Sequence, residues 1–174
     1  HKGENLPTPQ TFGLEPGMWS TACYRGYVAT YTCETDELYL TRLHIGRLQK
    51  DAEWKDINGV SAETVFREGT VIRNGESKHE RWEDGRQYTL NEPSYFSGGL
   101  LIGKGFIQSL YVHMGFGKPY QFEEVYELLF HEGKLVNTVD HCEKAAQWRE
   151  QVIRNNEDYR RRWQALKDEG LSGK

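Results

Sequence analysis

Polar and apolar positions alternate with a period of two in two stretches of the chain. In the first, from Arg25 to Leu43, Tyr27, Ala29, Tyr31 and Cys33 alternate with Val28, Thr30 and Thr32. Beyond Thr35-Asp36, Leu38, Leu40 and Arg42 alternate with Tyr39, Thr41 and Leu43. This period, with β-branched and aromatic residues, predicts a hairpin turning at Thr35-Asp36. In the second stretch, strands are predicted over Leu100–Ile102, Phe106–His113 and Phe122–His131, the last turning at Glu132-Gly133 into Lys134–Val139. Gly98, Gly99, Gly103 and Gly105 sit in or beside these strands, where glycine marks a bulge or a close approach.

The period then changes. Asp140, with Glu143 three residues on, has the form of a helix N-cap, and Gly170 stands where a helix ends. Ala145, Trp148, Val152, Tyr159, Trp163 and Leu166 recur at steps of three, four or seven, which predicts one helix over 141–169. At 1.5 Å per residue it would be about 40 Å long, so part of it should overhang a small sheet. Before the first hairpin, residues 1–17 read as an arm. Pro7, Pro9 and Pro16 block a ladder there, and Leu6, Phe12 and Leu14 can pin it. Residues 46–94 are dense in charge and punctuated by Asn58-Gly59, Asn74-Gly75 and Asp84-Gly85. They predict turns and the longest, most mobile loops, with short strands near Thr64–Phe66, Thr70–Arg73 and Gln87–Leu90. The expected fold is α+β: an antiparallel curved β-sheet or partial barrel over 18–140, a C-terminal helix packed on it, and a tail over 170–174. Its core should include Tyr27, Ala29, Tyr31, Leu38, Leu40, Leu101, Val112, Tyr126, Leu128, Phe130 and Trp148.

A length of 174 residues suits one domain. Hydrophobic residues make up 37% and mean hydropathy is −0.78, but aromatics at 13% supply large buried area. A net charge of −4 argues against a nucleic-acid partner gripped through phosphates. No apolar run approaches the length of a membrane helix, and no signal peptide is visible. Cys23, Cys33 and Cys142 form no CxxC pair, which fits free thiols and a cytoplasmic setting. The six histidines show no metal-ligand spacing, and Gly103-Lys104-Gly105 lacks the remaining residues of a phosphate loop. No cofactor or metal is expected.

Two segments concentrate glycine, aromatics and one polar group each: Ser20–Tyr31 with Arg25, and Tyr95–Gly117 with His113. Arg25, Tyr27, Tyr111 and His113 are therefore candidates to line a small-ligand site, with Arg25 as an anion fork and His113 as a base or ligand. The competing expectation pairs Arg25 with a core acid, Glu124 or Glu127, and makes His113 a satisfied core group. Cys23 with His113 as nucleophile and base is a weaker alternative. At the far end of the helix, Tyr159, Arg162, Trp163 and Leu166 combine aromatics with arginine, as interface anchors do. They are candidates for a protein partner or for self-association.

The run Leu14–Tyr31, containing Ser20-Thr-Ala-Cys-Tyr-Arg-Gly-Tyr27, and the segments Gly98–Phe106 and Tyr111-Val-His-Met-Gly-Phe-Gly117 resemble a family of small uncharacterised bacterial cytosolic proteins. Its pattern has the form STACWRGY…YVHMG, with Tyr24 here in place of Trp. The resemblance implies a bacterial cytosolic protein and carries no activity. Two functions are expected on this footing. One is a non-catalytic interaction module of the immunity or antitoxin kind, whose acidic balance suits a basic partner. The other is a small-ligand-binding or enzymatic β-barrel using Arg25 and His113.

Overall fold

The computed structural model describes residues 5–111 and 117–168, the side chains of 159, 162, 163 and 165–168 excepted. The fold is α+β. Among the described residues seven antiparallel strands form an open sheet: β1 (Tyr27–Glu34), β2 (Glu37–Ile45), β3 (Glu63–Arg73), β4 (Glu76–Pro93), β5 (Gly98–Phe106), β6 (Phe122–His131) and β7 (Lys134–Asp140). One helix follows, α1 (Cys142–Asp168). The ladder order is β3-β4-β2-β7-β6-β5, with β1 also paired to β2, and the sheet does not close into a barrel. The chain divides into two compact units.

The first unit holds residues 1–98 and 130–136. Its core is Leu14, Leu40, Leu43, Ile45, Ile57, Tyr88 and Leu90, with Phe12, Tyr27, Ala29 and Tyr31 packed against it. Each fully buried Leu or Ile contributes roughly 1.5–3 kcal/mol of transfer free energy. The first hairpin turns at Thr35 and Asp36, both at positive φ (49° and 62°), as a two-residue turn demands. The expected alternation fails halfway along β2. Thr30 pairs with Arg42 but Tyr31 with Leu40, so Thr41 is an extra residue. Leu43 is therefore buried with Leu40, and Arg42 faces solvent. The Thr41 hydroxyl donates to Thr30 O at 3.2 Å and lies 3.0 Å from Thr32 Oγ1, which ties the bulge to β1.

The N-terminal arm is anchored as its apolar residues predict. Leu14 is buried, and Tyr31 OH donates to Pro7 O at 2.7 Å. Burial pushes the Tyr31 hydroxyl up to about 12. A raised folded-state value means this contribution is intact below the unfolded value near 10 and is lost as pH climbs from there through about 12. Denaturant titrations between pH 9 and roughly 12 should thus show a shallower loss of stability for Tyr31→Phe than for wild type. Parallel curves would remove the arm contact from the account.

Residues 17–26 fold as a loop latched to the end of β2. Gly17 N donates to Arg47 O and Gly46 N to Gly26 O. The Trp19 ring covers Gly46, where a Cβ would lie 2.1 Å from it, and meets the His44 ring edge-on at 4.6 Å. The tip of the β6–β7 hairpin also belongs to this unit. Glu132 N donates to Ser97 Oγ and Gly133 N to Phe96 O, and Leu38 N donates to Gly133 O.

The second unit holds 99–129 and 137–174. β5 lies beside β6, with Gly103 beneath the Phe122 ring. Adjacent Leu101 (54% exposed) and Ile102 (46%) point to opposite faces, so β5 is uncovered on both and Leu101 is not core as expected. Phe106–His113 is not a continuous strand: β5 ends at Phe106 and a 3₁₀ turn follows over Gln108–Leu110, while Val112 and His113 lie outside the described residues. Asp140 starts α1 by accepting from Cys142 N at 2.7 Å. The helix is held by buried Ala145 and by Arg149, which donates to Tyr120 O and Phe122 O. Trp148, expected in the core, is 44% exposed and makes a T-shaped contact with the Tyr120 ring at 5.0 Å. From Ile153 onward every described helix side chain is exposed, which matches the predicted overhang.

Candidate functional site: the ribbon of strands β3 and β4

The charged stretch, expected to form long loops with short strands near Thr64–Phe66, Thr70–Arg73 and Gln87–Leu90, carries one long hairpin whose strands contain all three. β3 and β4 pair in eleven steps, from Glu63↔Gln87 to Arg73↔Glu76, and turn at Asn74-Gly75 with φ of 52° and 83°. Asp84-Gly85, expected as a turn, is instead a bulge: Val65 pairs with Gly85 and Phe66 with Glu83, leaving Asp84 extra. Below it β4 runs between β2 and β3. Above it, from Phe66 to Glu83, the two strands pair only with each other.

The bulge is the root of this ribbon. Gly85 has φ 113°, and a Cβ there would lie 2.2 Å from Ile45 O. Asp84 O lies 3.1 Å from His44 Nε2, and its nearly buried carboxylate (10% exposed) meets Arg67 at 2.8 Å. His44 is the ring that Trp19 abuts, so the latched loop supports the ribbon through one intermediary.

Beyond the root, no side chain from Phe66 to Glu83 is buried. One face presents Phe66, Glu68, Thr70 and Ile72 with Ser77, His79, Arg81 and Glu83 opposite them. The other presents Arg67, Gly69, Val71 and Arg73 with Trp82, Glu80, Lys78 and Glu76. The charges largely satisfy one another: Arg81 lies 3.8 Å from Glu68 and its guanidinium 4.2 Å over the Phe66 ring, and Arg73 lies 3.5 Å from Glu80. Basic and acidic residues number four each between Phe66 and Glu83. What remains unsatisfied is apolar: Ile72 is 72% exposed, Phe66 50% and Trp82 39%. A two-stranded ribbon is marginal alone in water, and this one carries exposed apolar groups on both of its faces.

The sequence candidates fall elsewhere. Arg25 is exposed and not a core group; its Nε donates to Tyr27 O at 2.9 Å and its guanidinium stands 5.0 Å over the Tyr27 ring. Glu124 pairs with Lys104 at 3.0 Å, which with Tyr126 OH holds its carboxyl below the usual range, and Glu127 lies 3.1 Å from His141. Tyr111 belongs to the second unit, where Phe106 meets it edge-on at 6.4 Å. The Cys23 thiol, half-buried, donates to Tyr27 O at 3.5 Å. His113 and the side chains of Tyr159, Arg162, Trp163 and Leu166 lie outside the described residues. Surface hollows of the first unit include one of about 160 Å³ beside Ser94 and Gly133 and one of about 350 Å³ beside Glu15 and Asp51; neither of these is lined by Arg25 or Tyr27. Among the described residues no three His, Cys, Asp or Glu side chains are grouped to hold a metal, and no helix is long and apolar enough to cross a membrane.

Phe66, Ile72 and Trp82 were not legible as a site. The β-branched run Thr70-Val-Ile72 ahead of Asn74-Gly75 predicts a short strand and its turn, but nothing in it marks these side chains as exposed on a two-stranded ribbon. No protein-family model, curated protein or solved structure matches the chain.

Proposed function

We propose that the protein is a non-catalytic interaction module of the bacterial cytosol, of the immunity or antitoxin kind, and that the β3–β4 ribbon is its contact element. The observation that carries this reading is the ribbon itself: eight residue pairs beyond the bulge, uncovered on both faces, with Phe66, Ile72 and Trp82 exposed among self-paired charges. Exposed aromatics flanked by arginine are the usual anchors of an interface. The net charge of −4 suits a basic partner, and the resemblance of Ser20–Tyr27 and Tyr111–Gly117 to bacterial proteins supplies the setting. The C-terminal overhang of α1 is available as a second contact.

The test is affinity capture from the source cells with wild type and with Ile72→Asp/Trp82→Ala in parallel. Wild type should retain a partner in stoichiometric amount and the double variant should lose it at least tenfold. Both proteins should melt within a few degrees of each other, because neither side chain touches the core cluster. Absence of any stoichiometric partner, or equal capture by the variant, sinks the reading.

A further inference from the structure

We infer that β3 pairs, antiparallel, with β3 of a second copy of this chain about a two-fold axis at Gly69. This deepens the interaction reading, on which it rests, by naming one occupant of the ribbon. Among the described residues β3 ends the ladder and pairs with β4 alone, so its outer edge offers unpaired backbone groups along a strand of eleven residues. Such edges are normally blunted by proline, charged side chains, bulges or covering chain, and β3 carries only the charges, at Glu63, Arg67, Glu68 and Arg73. β3 contains no proline, and its neighbouring bulge residue Asp84 sits on β4.

The side chains select both the partner and the register. A two-fold axis normal to the sheet keeps each face on its own side, so paired residues must share a face and the axis must pass through a residue. Centred on Glu68, the pairing sets that carboxylate against itself. Centred on Arg67 it opposes two Arg67 side chains, and centred on Thr70 it opposes Arg67 to Arg73. Centred on Val71 it uses only 69–73, and centred on Val65 or Phe66 it runs across the root and leaves Ile72 unpaired. Centred on Gly69 it spans 65–73 without a like-charge pair. It sets Phe66 opposite Ile72, Arg67 opposite Val71 and Glu68 opposite Thr70. The two most exposed apolar side chains of that face thereby cover each other, as aromatic and β-branched cross-strand pairs do favourably. Gly69 leaves the axis free of side chains. The product is a four-stranded sheet, β4-β3-β3-β4, in place of two marginal ribbons.

The test uses the full chain with Cys23, Cys33 and Cys142 replaced by Ser, under mild oxidation, read on non-reducing gels. Phe66→Cys with Ile72→Cys in one chain should give a covalent dimer, and either change alone should not, since residues 66 of the two copies would stand about 20 Å apart. Gly69→Cys alone, which keeps Phe66 and Ile72, should cross-link at least tenfold faster than Arg73→Cys. Its added side chain meets only the far edge of the Trp82 ring, at 3.1 Å. Dimer from Gly69→Cys establishes the axis even where the double variant associates too weakly to link. Equal linking by Arg73→Cys and Gly69→Cys, or none by any variant, overturns the inference. If the wild type still captures a stoichiometric foreign partner in that case, the interaction reading survives without it; if it captures none, both fall.

Discussion

Gly85→Ala is expected to destabilise the protein by about 3 kcal/mol or more, the size that backbone clashes at special φ values reach. Two costs add. The first is conformational: φ is 113°, a region essentially closed to residues with a Cβ. The second is steric: the new methyl would stand 2.2 Å from Ile45 O, 2.7 Å from Gly46 Cα and 2.9 Å from Gly46 O. All three are backbone atoms at the end of β2. They cannot yield without disturbing the pairing of Ile45 with Arg86 and the seat of Trp19 on Gly46. Gly75→Ala isolates the first cost, because its φ is 83° and nothing lies within 4 Å; about 1–2 kcal/mol is expected there. For a chain of this size, thermal melts should place Gly85→Ala roughly 6–12 °C below wild type and Gly75→Ala roughly 2–8 °C below. Equal melting temperatures would mean that β4 does not press on β2 at the bulge. The ribbon would then lack the fixed root that lets it present Phe66 and Ile72 at a defined angle.

The physics of each element decides how far it could be read in advance. β2 has a buried face and β1 a half-buried one, and the β1–β2 and β6–β7 hairpins turn on residues that take positive φ, so alternation reports the first hairpin and turn chemistry reports both. Thr41 marks where alternation misleads: one extra residue exchanges the faces of Arg42 and Leu43, and nothing in the local sequence announces it. The ribbon fails differently. A strand exposed on both faces has no apolar period, and its stabilising cross-strand charges look like the composition of a loop. Asp84-Gly85 reads as a turn because the glycine requirement of a bulge and of a turn is the same. The candidate site was harder still. Arg25, Tyr27 and Trp19 stand in the densest aromatic segment, yet Trp19 latches a loop and Arg25 lies outside on Tyr27. Aromatic density signalled a structural clasp. The exposed apolar groups that lack a cover, Ile72 above all, lay in the stretch with the weakest hydrophobic signal.

Tyr88→Ala is expected to cost about 3–5 kcal/mol, the range for deleting a buried aromatic side chain. Tyr88 is 0% exposed at the centre of β4, and its ring lies among Leu14, Leu40, Leu43, Ile45, Ile57 and Leu90. It also joins two parts of the first unit. Its hydroxyl donates to Lys55 O at 2.7 Å, and its ring stands 6.5 Å from that of Trp54, which carries the Arg86 guanidinium on its face at 5.0 Å. Removing the side chain therefore opens a cavity under β2 and releases the 52–60 loop from the strand that continues into the ribbon. Tyr88→Phe separates the two effects: it keeps the ring and leaves Lys55 O without its donor, for about 1–2 kcal/mol. Hydrogen exchange makes the distinction residue by residue. Tyr88→Phe should speed exchange at Ile57 and Val60, whose amides donate to each other's carbonyls, and leave β2 protected. Tyr88→Ala should speed exchange across β2 and β4 together. If Tyr88→Phe alone loosens β2, the hydroxyl bond holds the core and not just the loop, and the ribbon's root depends on the 52–60 segment as much as on Gly85.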